Sequence, residues 1–375
     1  MKKAFFDELL SIKNSTYKLV LLFLVPVFLF FLMIVIFSKG VLEEMPIAVV
    51  DLDNSQLSRE VTFAIESTKT LHVKYKLSSA KEAKALLSEG KIYAMVVIPH
   101  DLYKQTLLKM QPRITAMINT QYLLIGKMIL STLSSAVMSV SAKIEVAQHL
   151  VEEQNTKTVL QKVAPISLQI NSFFNTYQNY FYFLVLALVP SIWQIIVTVA
   201  TVVAFGEMVK TGKDKEYFKE NTIGKIIGKM LPYTFVYSLT LIFFLCYMFG
   251  VRNWEFQGEW SVVVGAVVFT TIAYQIVGLF LLSINFDYAR ALSLSAVYTA
   301  PAFAFLGITF PAYSMNDFAL FWRDMLPISY FMEILISQAN YGSDIMLTLP
   351  WIGSIILFFL LLIPVWLLYR KRVSR

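Results

Sequence analysis

Few residues in this chain combine the type and the spacing that chemistry needs. Three histidines (His72, His100 and His149) and one cysteine (Cys246) are too sparse for a metal site of the usual kind, and a lone cysteine closes no disulfide within the chain. Cys246 lies in an apolar run and reads as a small residue facing lipid or core. Gly224-Lys225-Ile226-Ile227-Gly228-Lys229 lacks the G-x-x-x-x-G-K-[ST] spacing, so it cannot cradle a nucleotide by that route. Serines within 131–141 fall on a helix face. Asp287 and Arg290 make an i, i+3 pair beside a turn. Glu333 is the candidate for an unusual carboxylate, although a contact that stabilises its own hairpin explains it more simply. No carboxylate pair and no Ser/His/Asp arrangement stands out.

The surrounding elements explain this poverty. With 57% hydrophobic and 15% charged residues, the chain is far more apolar than a soluble domain, of which roughly a quarter is charged. Its apolar runs approach the roughly 20 residues that span a bilayer. The first, 19–37 (TM1), is interrupted only by Pro26, is too long for the core of a signal peptide, and has no A-x-A site after it. Further spans are expected at 181–205 (TM2, with Pro190 as a kink), 230–250 (TM3), 262–284 (TM4), 291–310 (TM5) and 351–368 (TM6). Residues 311–350 are mixed, and the apolar-aromatic stretch 326–336 is too short to cross. They are expected to form an external hairpin or re-entrant segment, with Phe310, Pro311, Pro327, Tyr330 and Glu333 in it. The spans are nearly charge-free, whereas proton- or ion-coupled carriers usually need ionisable groups at depth.

Residues 38–178 differ in kind. Strands are expected at 46–51, 71–77, 92–98 and 113–119, with helices from Asn54-Ser55 to about Ser67, from a capping box at Ser79-Ala80-Lys81-Glu82 to about Ser88, and over 101–109. A long helical arm follows from about 123 to 151. The expected fold is therefore an α-helical membrane protein of six transmembrane helices, with an α+β extracytoplasmic domain inserted after the first.

At the amino end, residues 1–18 place Phe5, Leu9 and Ile12 at i, i+4, i+7, which predicts a cytoplasmic amphipathic helix lying at the interface. A solvated leader is the alternative. Residues 204–233 carry six lysines and four acids between two apolar segments. With the amino terminus inside, the segments 1–18, 206–229, 285–290 and 370–375 hold fifteen Lys and Arg against seven acids, while the short outer segments hold two against six. That asymmetry satisfies the positive-inside rule and places both termini, the basic tail 369–375 included, in the cytoplasm. The net charge of +7 is thus a topology signal rather than a nucleic-acid footprint.

One span, a large external domain and five further spans is an order that resembles the ABC-2 family of ABC-exporter permeases. Local sequence agrees. Pro46-Ile47-Ala48-Val49-Val50-Asp51-Leu52-Asp53-Asn54-Ser55 with Ser58-Arg59 resembles the opening of that family's external domain, and Val96-Val97-Ile98-Pro99 a later strand of it. Glu207, Gly212 and Glu216-Tyr217 resemble its E…G-T…E-W element, with Gly212-Lys213 where Gly-Thr is common. Gly228-Lys229-Met230-Leu231-Pro232-Tyr233 resembles the GKxLPY continuation, and Thr309-Phe310-Pro311 and Leu326-Pro327-Ile328-Ser329-Tyr330 the marks near the last span.

The resemblance implies a dimer of permeases, homo- or heteromeric, in a bacterial inner membrane, each docked on a separate ABC ATPase that binds the ATP and Mg that this chain does not. Glu207, Gly212, Glu216, Tyr217, Gly228 and Lys229 would then belong to a cytoplasmic coupling loop, 206–229, that meets the ATPase together with the amino-terminal helix, and Pro232, just beyond it, would share in the coupling by letting the flanking helix bend. Members with such an external domain often work with a periplasmic adaptor and an outer-membrane channel. Phe173, Phe174, Tyr177, Tyr180, Phe181 and Tyr182 would suit a hydrophobic or amphipathic cargo, drug or lipid-like, although such a belt is also ordinary interface anchoring. Two rivals are a receptor or assembly factor that binds through 38–178, and a membrane-embedded enzyme built on Glu333 or Asp324.

Overall fold

Lipid offers no partner for backbone N–H and C=O groups, so the apolar runs must fold as helices. The computed structural model describes residues 1–38, 40, 42–108, 110–152 and 179–374. The chain divides into two units, Met1–Gly40 with Phe173–Arg375, and Val41–Ser172. Phe173, Phe174, Tyr177 and the end of the expected external domain lie outside the described residues.

Helix α1 (Lys2–Lys13) leads into α2 (Thr16–Ile36). Pro26 has no N–H to donate, and just before it the helix widens into a π-turn over Val20–Leu24, where the Val25 N–H bonds Val20 rather than Leu21. That shift frees the Leu21 carbonyl, which accepts from the Tyr237 hydroxyl at 3.2 Å.

The inserted unit runs β1 (Met45–Asp51), α3 (Gln56–Glu66), β2 (Leu71–Leu77), α4 (Ala80–Ser88), β3 (Ala94–Ile98), α5 (Leu102–Leu107), β4 (Thr115–Ile118) and α6 (Leu123–Glu152). The strand order is β2-β1-β3-β4, with β1 parallel to both neighbours and β4 antiparallel. Ile47 and Val49 face a core shared with Leu57, Val61, Ile129 and Leu133; Ala48 and Val50 face a second, with Ala83 and Met95. Burial on both faces is why β1 reads as an unbroken apolar run. The Asp51 carboxylate accepts from the Asp53 and Asn54 amides at 3.1 and 3.0 Å and from the Ser58 hydroxyl at 2.7 Å. The acidic motif after β1 is thereby a turn and a helix start. The expected capping box before α4 does not form: Ser79 is the N-cap, but its side chain makes no cap bond.

The other unit continues with α7 (Tyr180–Lys210), α8 (Asp214–Tyr217), α9 (Thr222–Val251), α10 (Trp260–Asn285), α11 (Tyr288–Thr299), α12 (Ala302–Phe305), α13 (Asp317–Asp324), α14 (Pro327–Ile336) and α15 (Ile345–Val373). Helices α7 and α10 form its centre. A Cβ added at Gly278 would lie 2.9 Å from the Thr198 carbonyl, so the glycine lets the two backbones close on each other. Both α7 and α9 run unbroken through their prolines, Pro190 and Pro232.

Among the described residues six helices are long and apolar enough to cross a membrane, and five of them correspond to the expected spans 19–37, 181–205, 230–250, 262–284 and 351–368. The expected span 291–310 is not one continuous helix. Its helix ends at Thr299, because Pro301 cannot donate the next bond, and Gly307 turns the chain in the left-handed region (φ +85°). The sixth long helix is instead within α6, Leu124–Val146, whose Ile129, Leu133 and Val140 pack in the core of the inserted unit. At ten residues, α14 is too short to cross, as the sequence predicts.

Candidate functional site

The helices ending at the basic connection meet α1 in a buried ionic cluster. One face of α1, Ala4–Glu8–Ile12 at i, i+4, i+8, is buried and lies on α9. The approach is close because residue 228 is glycine: a Cβ there would stand 2.5 Å from the Met1 carbonyl and 3.0 Å from the Ala4 Cβ. It brings the Glu8 carboxylate between three donors. Lys229 Nζ bonds Oε2, Tyr233 OH donates to Oε1 at 2.8 Å, and Lys18 Nζ from the start of α2 donates to Oε1 at 3.1 Å. Lys18 also donates to Ser11 Oγ at 2.9 Å and lies 3.4 Å from Glu207 Oε2 at the end of α7. Side chains of Glu8, Lys18 and Lys229 are each 5% exposed or less.

Charges so far from water persist only when paired. Two lysines against one glutamate would leave an excess cation, and Glu207, 45% exposed, balances it from the rim. A cleft of ≈ 620 Å³ opens beside the cluster, lined by Asp7, Glu8, Glu207, Lys210, Tyr217 and Lys229, among others. Burial first, and then the Glu8 and Asp7 carboxylates, push the Tyr217 phenol up to about 12, so it stays neutral in this cleft. Lys225 donates to the Tyr217 carbonyl at 2.5 Å and lies 5.3 Å from its ring centre. The arrangement ties the ends of four helices, α1, α2, α7 and α9, with ion pairs.

The family model for ABC-2 family transporter proteins matches residues 18–368, nearly the whole chain. The chain belongs to the ABC-2 transporter family. No curated protein was found to match it. It is therefore a multi-pass membrane component of a transport system, and family membership implies an ABC ATPase partner.

Within this transporter the sequence-derived residues fall into three groups. Gly228 and Lys229 join the Glu8 cluster, with Glu207 at its edge and Tyr217 in the cleft. Pro232 is buried one turn along α9. Gly212 takes the left-handed φ of +71° that ends α7, with open space around it, so its role is in the backbone. Glu216 is exposed. The expected loop 206–229 is mostly helical, leaving only 211–221 between α7 and α9, with α8 inside it. Of the predicted face of α1, Ile12 is buried and Phe5 partly so, but Leu9 is 39% exposed beside Phe6 and Leu10, and the packed face is offset toward Ala4 and Glu8. In the hairpin region Arg323 pairs with Glu333, the Tyr330 hydroxyl donates to the Asp324 carbonyl at 3.1 Å, Pro327 is buried, and Phe310 and Pro311 are exposed. Glu8 itself is absent from the sequence reading. A carboxylate inside the Ala4–Ile12 stripe was its only local sign.

Proposed function

We propose that this transporter is the membrane subunit of an ATP-driven exporter, moving a hydrophobic or amphipathic compound out of the cytoplasm or the inner membrane. A separate ABC ATPase docks on the 206–229 segment and α1, and two such permeases form the pathway. ATP and Mg²⁺ belong to the ATPase. The inserted unit faces outward, where an adaptor and outer channel would find it, and both termini are cytoplasmic.

The observation that carries the reading is the Glu8 cluster. A docked partner needs rigid levers, and buried ion pairs joining α1 to the ends of α2, α7 and α9 turn a push on one exposed segment into movement of several spans. The charge-poor spans agree, because they leave energy input to a partner rather than to a buried proton relay.

Reversal of charge at Glu207 or Glu216 tests the docking surface. Glu207→Lys and Glu216→Lys are expected to insert normally yet lose most efflux of a hydrophobic fluorescent dye from cells. Wild-type efflux in both variants contradicts the assignment. Topology has its own test. A cysteine at exposed Ser88, in a Cys246→Ser background, is expected to react with a membrane-impermeant thiol reagent in intact spheroplasts. Labelling only after lysis inverts the orientation.

One observation favours the receptor reading. The inserted unit has a cleft of ≈ 800 Å³ lined by Leu57, Val96, Ile114, Leu133 and Val140, among others, within the size range of ligand pockets. Under that reading, replacing 206–229 leaves function intact.

A further inference from the structure

A second ionic contact at the α7–α9 connection lies outside the Glu8 cluster. Asp214, the first residue of α8, is 1% exposed, although it sits in the most charged stretch of the chain. Its carboxylate bonds Arg372 twice, through Nε to Oδ2 and through the second guanidinium nitrogen to Oδ1 at 3.4 Å. Arg372 belongs to the last turn of α15, and its guanidinium carbon also stands over the Phe286 ring, 4.4 Å from its centre, where α10 ends. Three residues earlier, on the same face of α15, Tyr369 is fully buried and packs its ring on Phe218 at 4.8 Å and on Phe286 at 4.9 Å. Phe218 in turn stacks on Phe205 of α7 at 6.2 Å.

The carboxyl-terminal basic residues read from sequence as topological charge alone. Arg372 is instead the inner end of a strut. Arginine suits this role because its planar fork fixes direction as well as distance, which a lysine does not. The helix it holds packs on α10 and α14 along one face and leaves most of its surface outward: 11% of its apolar stretch is buried within the chain, against 67% in α7 and in α10. A helix packed on one face alone can slide or tilt along that face, so a directional contact at its end helps to set where it sits.

We propose that Asp214 and Arg372 are the positioning pair that carries movement of α8 into the last span. The inference rests on the proposed ATPase docking: pressure on the exposed side of α8 displaces Asp214, and the guanidinium draws α15 after it. Neither residue touches cargo.

The test uses the full tagged chain with its co-purified ATPase in nanodiscs. In a Cys246→Ser background, Leu360→Cys, exposed on α15, carries an environment-sensitive fluorophore. A non-hydrolysable ATP analogue is expected to shift its emission. Asp214→Asn and Arg372→Gln should cut that shift at least fivefold with the ATPase still bound and hydrolysing, and the exchanged pair Asp214→Arg/Arg372→Asp should restore at least half of it. Arg372→Lys, which keeps the charge and loses the fork, should give an intermediate shift and serves if Arg372→Gln fails to insert. An undiminished shift in Arg372→Gln or Arg372→Lys, with ATPase bound, overturns the inference alone. Absence of any ATPase from the wild-type preparation overturns the docking reading, and this inference with it.

Discussion

Replacing Glu8 with alanine is expected to release α1 from α9 and raise amide exchange across residues 2–13 by about three to four orders of magnitude. The substitution strands Lys229, which is 4% exposed and whose carboxylate partner is Glu8. Lys18 keeps only the longer contact to Glu207 at 3.4 Å. Leaving a buried charge without its partner costs about 3–5 kcal/mol, and the Tyr233 hydroxyl loses its acceptor at a further cost of about 1 kcal/mol. The helix has little else to hold it, since only Ala4, Glu8 and Ile12 are buried along its length. Glu8→Gln keeps the shape and some hydrogen bonding, so exchange should rise less. Removing the stranded charge as well, in Glu8→Gln/Lys229→Met, should recover part of the protection, as expected for a coupled pair. Hydrogen exchange with mass-spectrometric readout decides this directly. Unchanged protection in Glu8→Ala means that the cluster does not hold α1.

Gly228→Leu should give the same signature by a different cause. In an isolated helix the change favours helix formation, because glycine costs about 1 kcal/mol relative to the best formers. Here the new Cβ meets the Met1 carbonyl at 2.5 Å. That oxygen accepts from the Phe5 amide at 3.1 Å, so it cannot move without unwinding the first turn of α1. Overpacking of this kind costs about 1–3 kcal/mol. The expected result is a normally inserted α9 with an undocked α1: exchange rises over residues 2–13 and not over 222–251. Protection of α1 equal to wild type would contradict the close packing of these helices.

The contrast between these two residues shows what the sequence makes legible. Gly228 and Lys229 stand in a recognisable motif, but the carboxylate that gives the motif its meaning is 221 residues from Lys229 in the chain. No local periodicity connects them. Short-range order was legible. The four strands fall within two residues of the expected limits, because apolar parallel strands and alternating ones leave a mark on every residue. Five of the expected spans were legible from hydropathy alone, and for the same reason the sixth was drawn as one continuous segment. Leu124–Val146 is apolar enough to cross a membrane, yet its place after the strands marks it as the arm of the inserted domain, in whose core it packs. Residues 291–310 were expected to span on apolarity, although Pro301 and Gly307 divide them. Asp214 and Arg372 were invisible as a pair, since each is one charge among many in a basic stretch.

The central claim is that the 206–229 segment couples this permease to an ATPase, and its most direct test is a mild-detergent pull-down of the tagged chain from its native membrane. The account predicts a stoichiometric nucleotide-binding ATPase that disappears when residues 206–229 are replaced by a Gly/Ser sequence, while the permease itself still inserts. Recovery of the wild-type chain without an ATPase, or an ATPase that remains after the replacement, would contradict it.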